Sequence, residues 1–347
     1  MDERTGFKDS LELLQACIIE SEAESLKVFQ NWLQSGHFDI RFSTAEFRFL
    51  PYLWFRHQET LEKNDVWHKI QGLFKRTYFH NTQLLLLAKQ LSSQLDERGI
   101  THAFCKGSVY LLTKYPHLGA RPMADLDILV HPEDLEKTSS VLEGMQFTPT
   151  RPLWESKFVH KHSLGFINSK NLSLDLHTRP SPSVINGFDS RYFLSNLARE
   201  TTKFGKLPLL DLKKALEFTL LNNLYSRDVH WMLDLLLADP QRQHLTLFFE
   251  QLKSFPELRN ALIFRIQKNY PSLLPSGIII SKLPQFYIQF LENLFLDKPE
   301  TTYANHLYWY YGFNGKHMKN PQFNPVYWIK LGVYSLVWFW RKKVGWI

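Results

Sequence analysis

The stretch of sequence that decides the fold is residues 106–130, which read KGSVYLLTKYPHLGARPMADLDILV. Its last seven residues, 124–130, form an apolar strand pattern that is interrupted by Asp125 and Asp127. Side chains alternate along a strand, so these two carboxylates lie on one face while Leu126 and Ile128 enter the core. Two neighbouring carboxylates repel each other unless a cation lies between them. The pattern therefore predicts a cation site.

A third carboxylate, Asp175, follows in the text LSLDLH at residues 172–177. This text and residues 161–167 alternate in polarity around residues 168–171, which predicts a β-hairpin. If the second strand of the hairpin pairs near residues 124–130, Asp175 joins the other two aspartates and could orient or deprotonate an attacking hydroxyl. Magnesium prefers carboxylate and phosphate oxygens, so the three aspartates predict a site for Mg²⁺ and a nucleotide.

A phosphate position is predicted just before the aspartates. Residues 100–106 form a short strand pattern, and helical text begins after Gly107 and Ser108. Backbone N–H groups at the start of a helix, together with the helix dipole, favour a phosphate. Gly107 and Ser108 are therefore predicted to bind the nucleotide, with Lys106 and Arg121 as flanking cations for its triphosphate.

The order of these elements is strand, helix, strand, helix and then the hairpin, which predicts a small sheet with mixed strand directions. Helical spacing of apolar residues dominates elsewhere, apart from a short strand pattern before Asp211, which is a predicted N-cap. The fold class is therefore α+β, a small mixed-sheet core flanked by helical regions. Helices are predicted over residues 10–33, 45–57, 66–98, 132–143 and 213–237, and a strand over 207–210. The predicted regions are 1–98 (N-terminal, helical), 99–180 (core), 181–300 (mainly helical) and 301–347 (aromatic-rich).

Composition narrows the class of protein and of partner. The chain has 347 residues, 44% of them hydrophobic and 22% charged, which is typical of a globular protein. Its 41 Lys and Arg exceed its 34 Asp and Glu by 7, which favours a polyanionic partner. Cys17 and Cys105 lie far apart in apolar text, so we expect free thiols and a reducing compartment. The polar start, MDERTGFKDS, lacks the apolar run of a signal peptide, which favours the cytoplasm.

The C-terminal region leaves two interpretations open. Residues 326–340 read VYWIKLGVYSLVWFW and are followed by Arg341, Lys342 and Lys343. The run is shorter than a usual membrane span and is interrupted by Lys330. It could form an interfacial helix on an anionic membrane surface, which would place the protein peripherally at the inner face of the membrane. Alternatively, it could close the core of the helical region.

The motifs taken together resemble a known family. A Gly-Ser at the end of one strand, Asp-x-Asp on the next and a later single Asp are similar to the nucleotidyltransferase superfamily of polymerase beta-like folds. More closely, they resemble a bacterial group of largely uncharacterised nucleotidyltransferase-like proteins. The close resemblance covers residues 100–180, about a quarter of the chain. It rests on KGS at 106–108, YP at 115–116, G-x-R at 119–121, DLDILV at 125–130 and LDLH at 174–177.

The resemblance implies roles for these residues. Gly107 and Ser108 would hold the triphosphate, and Asp125, Asp127 and Asp175 would bind two Mg²⁺ ions. Farther along the chain, Trp231 and Asp234 resemble a W-x-x-D motif in the C-terminal helix of that family. From their own spacing, one helical turn apart, they are predicted to be a packed indole and an aspartate that bonds a neighbouring cation.

The function expected on this basis is transfer of a nucleoside monophosphate from a Mg²⁺-bound NTP to an unidentified hydroxyl or phosphate acceptor. A small molecule or a protein is favoured as acceptor over RNA, because the sequence has no RNA-binding motif or dense basic patch. Two alternatives stay open. One is transfer of the γ-phosphoryl group on the same fold, and the other is a non-catalytic, nucleotide-binding or membrane-associated scaffold.

Overall fold

The structure is a computed structural model, and it describes most of the chain up to residue 278. The described residues are 3–34, 47–61, 65–151, 162–181, 187–223, 230–254, 256–269, 274–275 and 277–278. Residues 301–347, including the candidate interfacial helix, lie outside this set. Within it, no helix has both the length and the apolar character that crossing a bilayer requires.

The core is a five-stranded sheet of mixed direction with the strand order β1-β2-β5-β4-β3. Strand β5 pairs in parallel with β2, and the other neighbouring strands pair antiparallel. The predicted mixed sheet and the hairpin β4–β5 are therefore confirmed. The strands are β1 (His102–Phe104), β2 (Asp125–Val130), β3 (Phe147–Pro149), β4 (Ser163–Asn168) and β5 (Ser173–His177).

One long helix supports the sheet. Helix α4 (Asp65–Asp96) contacts β1, β2 and helix α6 (Leu135–Gly144). Its buried residues recur three or four positions apart, as in Leu84, Ala88, Leu91 and Leu95, because this spacing places them on one side of a helix. Burying that apolar side, rather than helix propensity alone, stabilises a helix of this length in place.

The N-terminal region contains α1 (Glu3–Ile18), α2 (Glu22–Gln34) and α3 (Leu50–His57). The helical pattern over residues 10–33 thus forms two helices rather than one. The helix is interrupted near Ser21. The hydroxyl of Ser21 accepts a hydrogen bond from the backbone N–H of Glu24 at 3.4 Å, as the side chain of an N-cap residue does. Arg56 of α3 donates to the carbonyls of Cys17 at 3.0 Å and Ile19 at 2.5 Å. These bonds satisfy carbonyls that the end of α1 leaves without helical partners.

After β5, the chain forms a contact with the edge of the sheet before its C-terminal helices begin. The predicted strand near residues 207–210 is β7 (Gly205–Pro208), and the Leu210 N–H donates to the Phe104 carbonyl of β1 at 3.1 Å. Asp211 is the predicted N-cap and accepts from the Lys214 N–H at 2.9 Å. The remaining elements are α5 (Gly107–Thr113), 3-10 turns at Pro132–Asp134 and Leu252–Ser254, α7 (Ser190–Leu194), β6 (Arg199–Thr202), α8 (Leu212–Asn222), α9 (His230–Ala238), α10 (Gln243–Gln251) and α11 (Pro256–Asn269).

Candidate active site

The three predicted aspartates lie side by side on the two parallel strands at the centre of the sheet. In the register of β2 with β5, Asp127 lies opposite Asp175 and Asp125 lies opposite Ser173. Because side chains alternate along both strands, all three carboxylates share one face of the sheet. Leu126 and Leu174 point to the other face, where both are fully buried. The apolar residues between the aspartates thus fix the face on which the carboxylates lie.

His177 adds a nitrogen to this face. It is fully buried, and ligand atoms of His177, Asp127 and Asp175 all lie within 4.8 Å of one another. The His177 Nε2–H donates to Asp127 Oδ1 at 3.0 Å, and Phe218 of α8 packs edge-on against the imidazole with ring centroids 5.6 Å apart. Burial, followed by the charge of Lys106, lowers the pKa of His177 well below its ordinary value. His177 is therefore a neutral donor that orients Asp127.

Lys106 is the cation closest to the carboxylates. Its Nζ lies 2.6 Å from Asp127 Oδ1. Burial alone would lower the pKa of Lys106, but Asp127 and the neighbouring Asp125 raise it above its ordinary value, so the ammonium keeps its charge. The backbone of Lys106 has φ of 51° and ψ of −122°, a conformation that L-residues rarely adopt. Such strain costs about 1–3 kcal/mol and persists where the surrounding contacts enforce it.

The pKa values of the other two carboxylates, Asp125 and Asp175, are raised. Burial, followed by repulsion from Asp127, raises the pKa of Asp125 to about 6. Burial, followed by repulsion from Asp127 and Asp125, raises the pKa of Asp175 to about 6 as well. One ammonium does not balance three carboxylates, and the donor atoms are mainly carboxylate oxygens. The residues therefore fit a hard divalent cation of the Mg²⁺ type.

A cleft of about 210 Å³ opens over this face of the sheet. Residues at the starts of β2 and α5 line the cleft, together with residues of α8 and α9. The cleft is mainly polar, so it suits a charged ligand better than an apolar one. Its lining residues are Arg48, Lys106, Gly107, Arg121, Met123, Ala124, Asp125, Asp127, Thr219, Asn222, Asn223, His230, Trp231 and Asp234.

Gly107 and Ser108 lie where β1 leads into α5, and they are the first two residues of that helix. A Cβ atom on Gly107 would lie 2.5 Å from Arg121 Nη1, so the close approach of this backbone to the guanidinium requires glycine. Ser108 is buried, and its hydroxyl donates to the Cys105 carbonyl at 2.9 Å. The Ser108 hydroxyl thus stabilises the turn, and the group that Ser108 can offer to a phosphate is its backbone N–H.

Arg121 is held by a carboxylate from the C-terminal helical region. Its Nε and Nη2 each donate to an oxygen of Asp234 at 2.7 Å, and the Tyr115 hydroxyl donates to the same carboxylate at 2.9 Å. Arg121 and Asp234 are both buried. The prediction that Asp234 bonds a neighbouring cation and that Trp231 is a packed indole is confirmed. Arg121 therefore reaches the cleft as part of an ion pair.

Arg48 and His230 are two of the cleft residues that the sequence did not indicate as site residues. Arg48 lies just before α3, and its Nη1 donates to the Nε2 of His230, at the start of α9, at 3.0 Å. Neither residue belongs to a motif, and 182 positions separate them in the sequence. A local pattern could not have identified them, because their proximity arises only when the N-terminal and C-terminal helices pack together.

Comparisons with solved structures returned proteins of related type at low similarity. The chain is 12% identical to the antibiotic-resistance factor ANT(2'')-Ia, with a TM-score of 0.33, and the match covers 55% of this chain and 95% of that one. It is 17% identical to an antigenic nucleotidyltransferase-like protein from Paracoccidioides brasiliensis, with a TM-score of 0.31, and the match covers 53% of this chain and 91% of that one. A comparison with curated protein sequences gave no significant match.

A family model described as "Uncharacterised nucleotidyltransferase" matches residues 50–222. This segment contains all five strands of the central sheet, the three aspartates and the turn at Gly107. It excludes Arg48 on one side and His230, Trp231 and Asp234 on the other. Through residues 50–222, the chain belongs to this family of uncharacterised nucleotidyltransferases.

Proposed function

We propose that the protein transfers a nucleoside monophosphate from a Mg²⁺-bound NTP to a hydroxyl or phosphate acceptor, with release of pyrophosphate. The observation that carries the proposal is the placement of Asp127 opposite Asp175 on β2 and β5, with Asp125 two residues before Asp127 on the same strand. Asp125, Asp127, Lys106 and Gly107 line the polar cleft. Membership of a nucleotidyltransferase family supports the same reaction class.

Each side chain of the proposed machinery has a role that follows from its position. Asp125, Asp127 and Asp175 would hold Mg²⁺, which on binding supplies charge neutralisation for the triphosphate and for the pentacoordinate transition state. Lys106 and Arg121 flank the backbone of Gly107 and Ser108, where the triphosphate would lie. His177 donates to Asp127 and so keeps one carboxylate in a fixed orientation.

The proposed reaction needs no reactant besides the NTP and the acceptor. A hydroxyl oxygen of the acceptor attacks the α-phosphorus and forms a new O–P bond, while the bond between the α-phosphorus and the oxygen bridging to the β-phosphate breaks. Pyrophosphate carries away the leaving electron pair. Asp175 is the carboxylate that would accept the hydroxyl proton. A phosphate acceptor has an oxyanion in place of the hydroxyl and needs no proton transfer.

The first test measures binding and then the fate of each phosphate. Thermal unfolding is followed with each NTP and Mg²⁺, and then α-labelled and γ-labelled forms of the stabilising NTP are incubated with small-molecule and protein fractions. We expect stabilisation, transfer of the α-label and release of pyrophosphate. Asp127→Asn should abolish transfer, whereas Asp96→Asn should not, because Asp96 lies in an exposed ion pair with Arg199 far from the cleft along α4.

Other outcomes identify the alternatives. Transfer of the γ-label without the α-label would replace the proposal with phosphotransfer on the same fold. Nucleotide binding without transfer of either label, and without pyrophosphate release, would indicate a nucleotide-binding scaffold. If no NTP stabilises the wild-type protein with Mg²⁺ present, the proposed function is wrong.

A further inference from the structure

Two neighbouring asparagines at the end of α8 line the cleft. Asn222 is the last residue of α8, and Asn223 follows it. The Nδ2 of Asn222 donates to the Pro180 carbonyl at 2.8 Å, and the Nδ2 of Asn223 donates to the Thr219 carbonyl at 2.9 Å. A carbonyl oxygen only accepts hydrogen bonds, so the amide nitrogen of each side chain must face it. The two bonds therefore fix the orientation of both carboxamides.

The oxygen atoms of the two carboxamides are left to accept from a ligand. Within the part of the chain that the structure describes, no donor reaches Oδ1 of Asn222 or of Asn223, and neither oxygen is a buried atom. An amide oxygen accepts hydrogen bonds and has no net charge. Both side chains lie at the C-terminal end of α8, where the helix dipole is negative. This part of the cleft therefore suits a neutral hydrogen-bond donor better than a phosphate.

The packing of α8 places the asparagines close to the metal site. Phe218, one helical turn before Asn222, packs on the ring of His177 at the end of β5. Pro180, which accepts from Asn222, lies three residues after His177. Groups bound at this end of α8 thus lie near the reacting phosphorus. The ribose of the NTP and the acceptor meet that condition, and both carry hydroxyl groups, whereas the base lies beyond the ribose.

We infer that Asn222 and Asn223 form a hydroxyl-binding subsite, in which the carboxamide oxygens accept hydrogen bonds from hydroxyl groups of a substrate. The inference rests on the proposed function and deepens it, because it names the neutral group that the cleft recognises beside the triphosphate. The hydroxyls belong either to the ribose of the NTP or to a polyol acceptor. Both sources present the same donor, and the experiment separates them.

The test uses full-length protein and isothermal titration calorimetry with Mg²⁺ present. The nucleotide probes are ATP, CTP, GTP and UTP with their 2′-deoxy and 3′-deoxy forms. Asn223→Leu removes one oxygen, and the Thr219 carbonyl keeps the bond from the Asn223 backbone N–H. Asn222→Leu removes the other oxygen but leaves the Pro180 carbonyl without this donor. Gln90→Leu, which removes an amide at an exposed position of α4, is the matched control.

We expect the wild type to bind an NTP about threefold to tenfold more tightly than the deoxy form that lacks the contacted hydroxyl, as the loss of one hydrogen bond predicts. In Asn223→Leu the two affinities should become equal, because the same bond is lost from the protein side. Gln90→Leu should keep the wild-type ratio. Unfolding temperatures without ligand verify that the variants are folded, and Asn223→Leu decides the test if Asn222→Leu is not.

A second set of probes reports on the acceptor. Glycerol, glucose, ribose and myo-inositol are titrated into protein that is saturated with an α,β-methylene NTP analogue. If the wild type binds NTP and deoxy-NTP equally but binds one of these polyols, and Asn223→Leu loses the polyol, the subsite belongs to the acceptor.

Two outcomes overturn the subsite. One is an affinity of each folded Leu variant that matches that of Gln90→Leu for every nucleotide and every polyol. The other is a loss that follows the base, which appears with ATP and CTP but not with UTP and is the same for the deoxy forms. That pattern would assign the amides to an exocyclic amine, which UTP lacks.

The subsite and the proposed function fail in different ways. Wild-type protein that transfers the α-label, with Leu variants that bind every probe as the control does, keeps the function and overturns the subsite. Wild-type protein that distinguishes NTP from deoxy-NTP through Asn223 but transfers no label keeps the subsite and overturns the function. Wild-type protein that binds none of the probes overturns both.

Discussion

Asp125 and Asp175 change between their protonated and ionised states near neutral pH. Burial and mutual repulsion raise the pKa of both Asp125 and Asp175 to about 6, while Lys106 compensates Asp127. A raised pKa in the folded state means that folding favours the protonated form. Without a metal ion, these two groups therefore contribute most to stability below their ordinary pKa of about 4, and that contribution is lost as the pH rises through about 6.

A divalent cation should reverse this dependence, because it binds the ionised carboxylates. We predict that the rise in unfolding temperature caused by Mg²⁺, measured against EDTA, is small at pH 5 and increases to a plateau above pH 7. In Asp125→Asn the increase should be smaller and less dependent on pH. A Mg²⁺ effect that stays constant between pH 5 and 7.5 in the wild type would contradict the assignment of these carboxylates to a metal site.

Gly107 and Lys106 illustrate what the sequence could and could not indicate at the level of single residues. The Gly-Ser text predicted backbone N–H groups that favour a phosphate, whereas the reason for glycine at position 107 in the structure is the nearby guanidinium of Arg121. The ion pair between Lys106 and Asp127 joins positions 21 residues apart, so no local pattern predicts it. The hydrogen bond of His177 to Asp127 depends on strand register in the same way.

At the scale of the elements, the loop between α5 and β2 contains Arg121 and leads into β2. Helix α4 fixes the position of this loop through hydrogen bonds to its backbone. The Asn81 side chain of α4 is fully buried, and its Nδ2 donates to the carbonyls of Leu118 at 2.6 Å and Arg121 at 2.7 Å. Its Oδ1 accepts from the Met123 N–H at 3.3 Å. One side chain thus pairs three backbone groups of a loop that has no regular hydrogen-bond ladder.

Asn81→Leu should destabilise the protein by about 3 kcal/mol, because it leaves buried carbonyls without donors while the number of non-hydrogen side-chain atoms stays the same. Urea unfolding measures the loss. The loop should also lose its fixed position, so the stabilisation by Mg²⁺ and NTP should decrease in the same variant. Gln90→Leu, at an exposed position of the same helix, is the control. Equal stability of the two variants would show that the loop does not depend on Asn81.

Elements were predictable where an alternating or helical pattern was strong. Strands β2, β4 and β5 alternate in polarity, and α4 repeats apolar residues at helical spacing, so their type could be predicted from the sequence. Strand β6, which pairs with β7, was missed because its text, RETT, is short and polar. Strand β3 is a three-residue edge strand that ends in Pro149. Proline has no N–H to donate to a neighbouring strand, so its presence argues against a central strand.

At the scale of the whole molecule, the cleft is assembled from distant parts of the chain. The sheet supplies Asp125 and Asp127, α8 and α9 supply further lining residues, and Arg48 comes from the segment before α3. Helix α1 also contacts α9, so the N-terminal and C-terminal helical regions meet beside the sheet. The sequence predicted helices on both sides of the core but not that they build the wall of the site, because helical periodicity does not specify a packing partner.

Substitutions in the ion pair of Arg121 with Asp234 test whether this contact between the sheet and α9 contributes to stability, to nucleotide binding or to both. Asp234→Asn alone should destabilise the protein by about 3–5 kcal/mol, because it leaves the buried guanidinium without a counter-charge. The double variant Arg121→Met/Asp234→Leu should recover most of that loss, since an apolar pair of similar volume often replaces a buried ion pair without net cost. Urea unfolding of the two variants checks both expectations.

Nucleotide affinity of the double variant then separates the two roles of Arg121. If Arg121 contributes to the triphosphate site through Nη1, which lies against Gly107, the recovered protein should bind Mg²⁺ and NTP about tenfold more weakly than the wild type. The exposed pair provides the control: Asp96→Asn/Arg199→Gln should change stability by at most about 1 kcal/mol and leave binding unchanged. Full affinity in the stable double variant would instead make Arg121 a purely structural link between the sheet and α9.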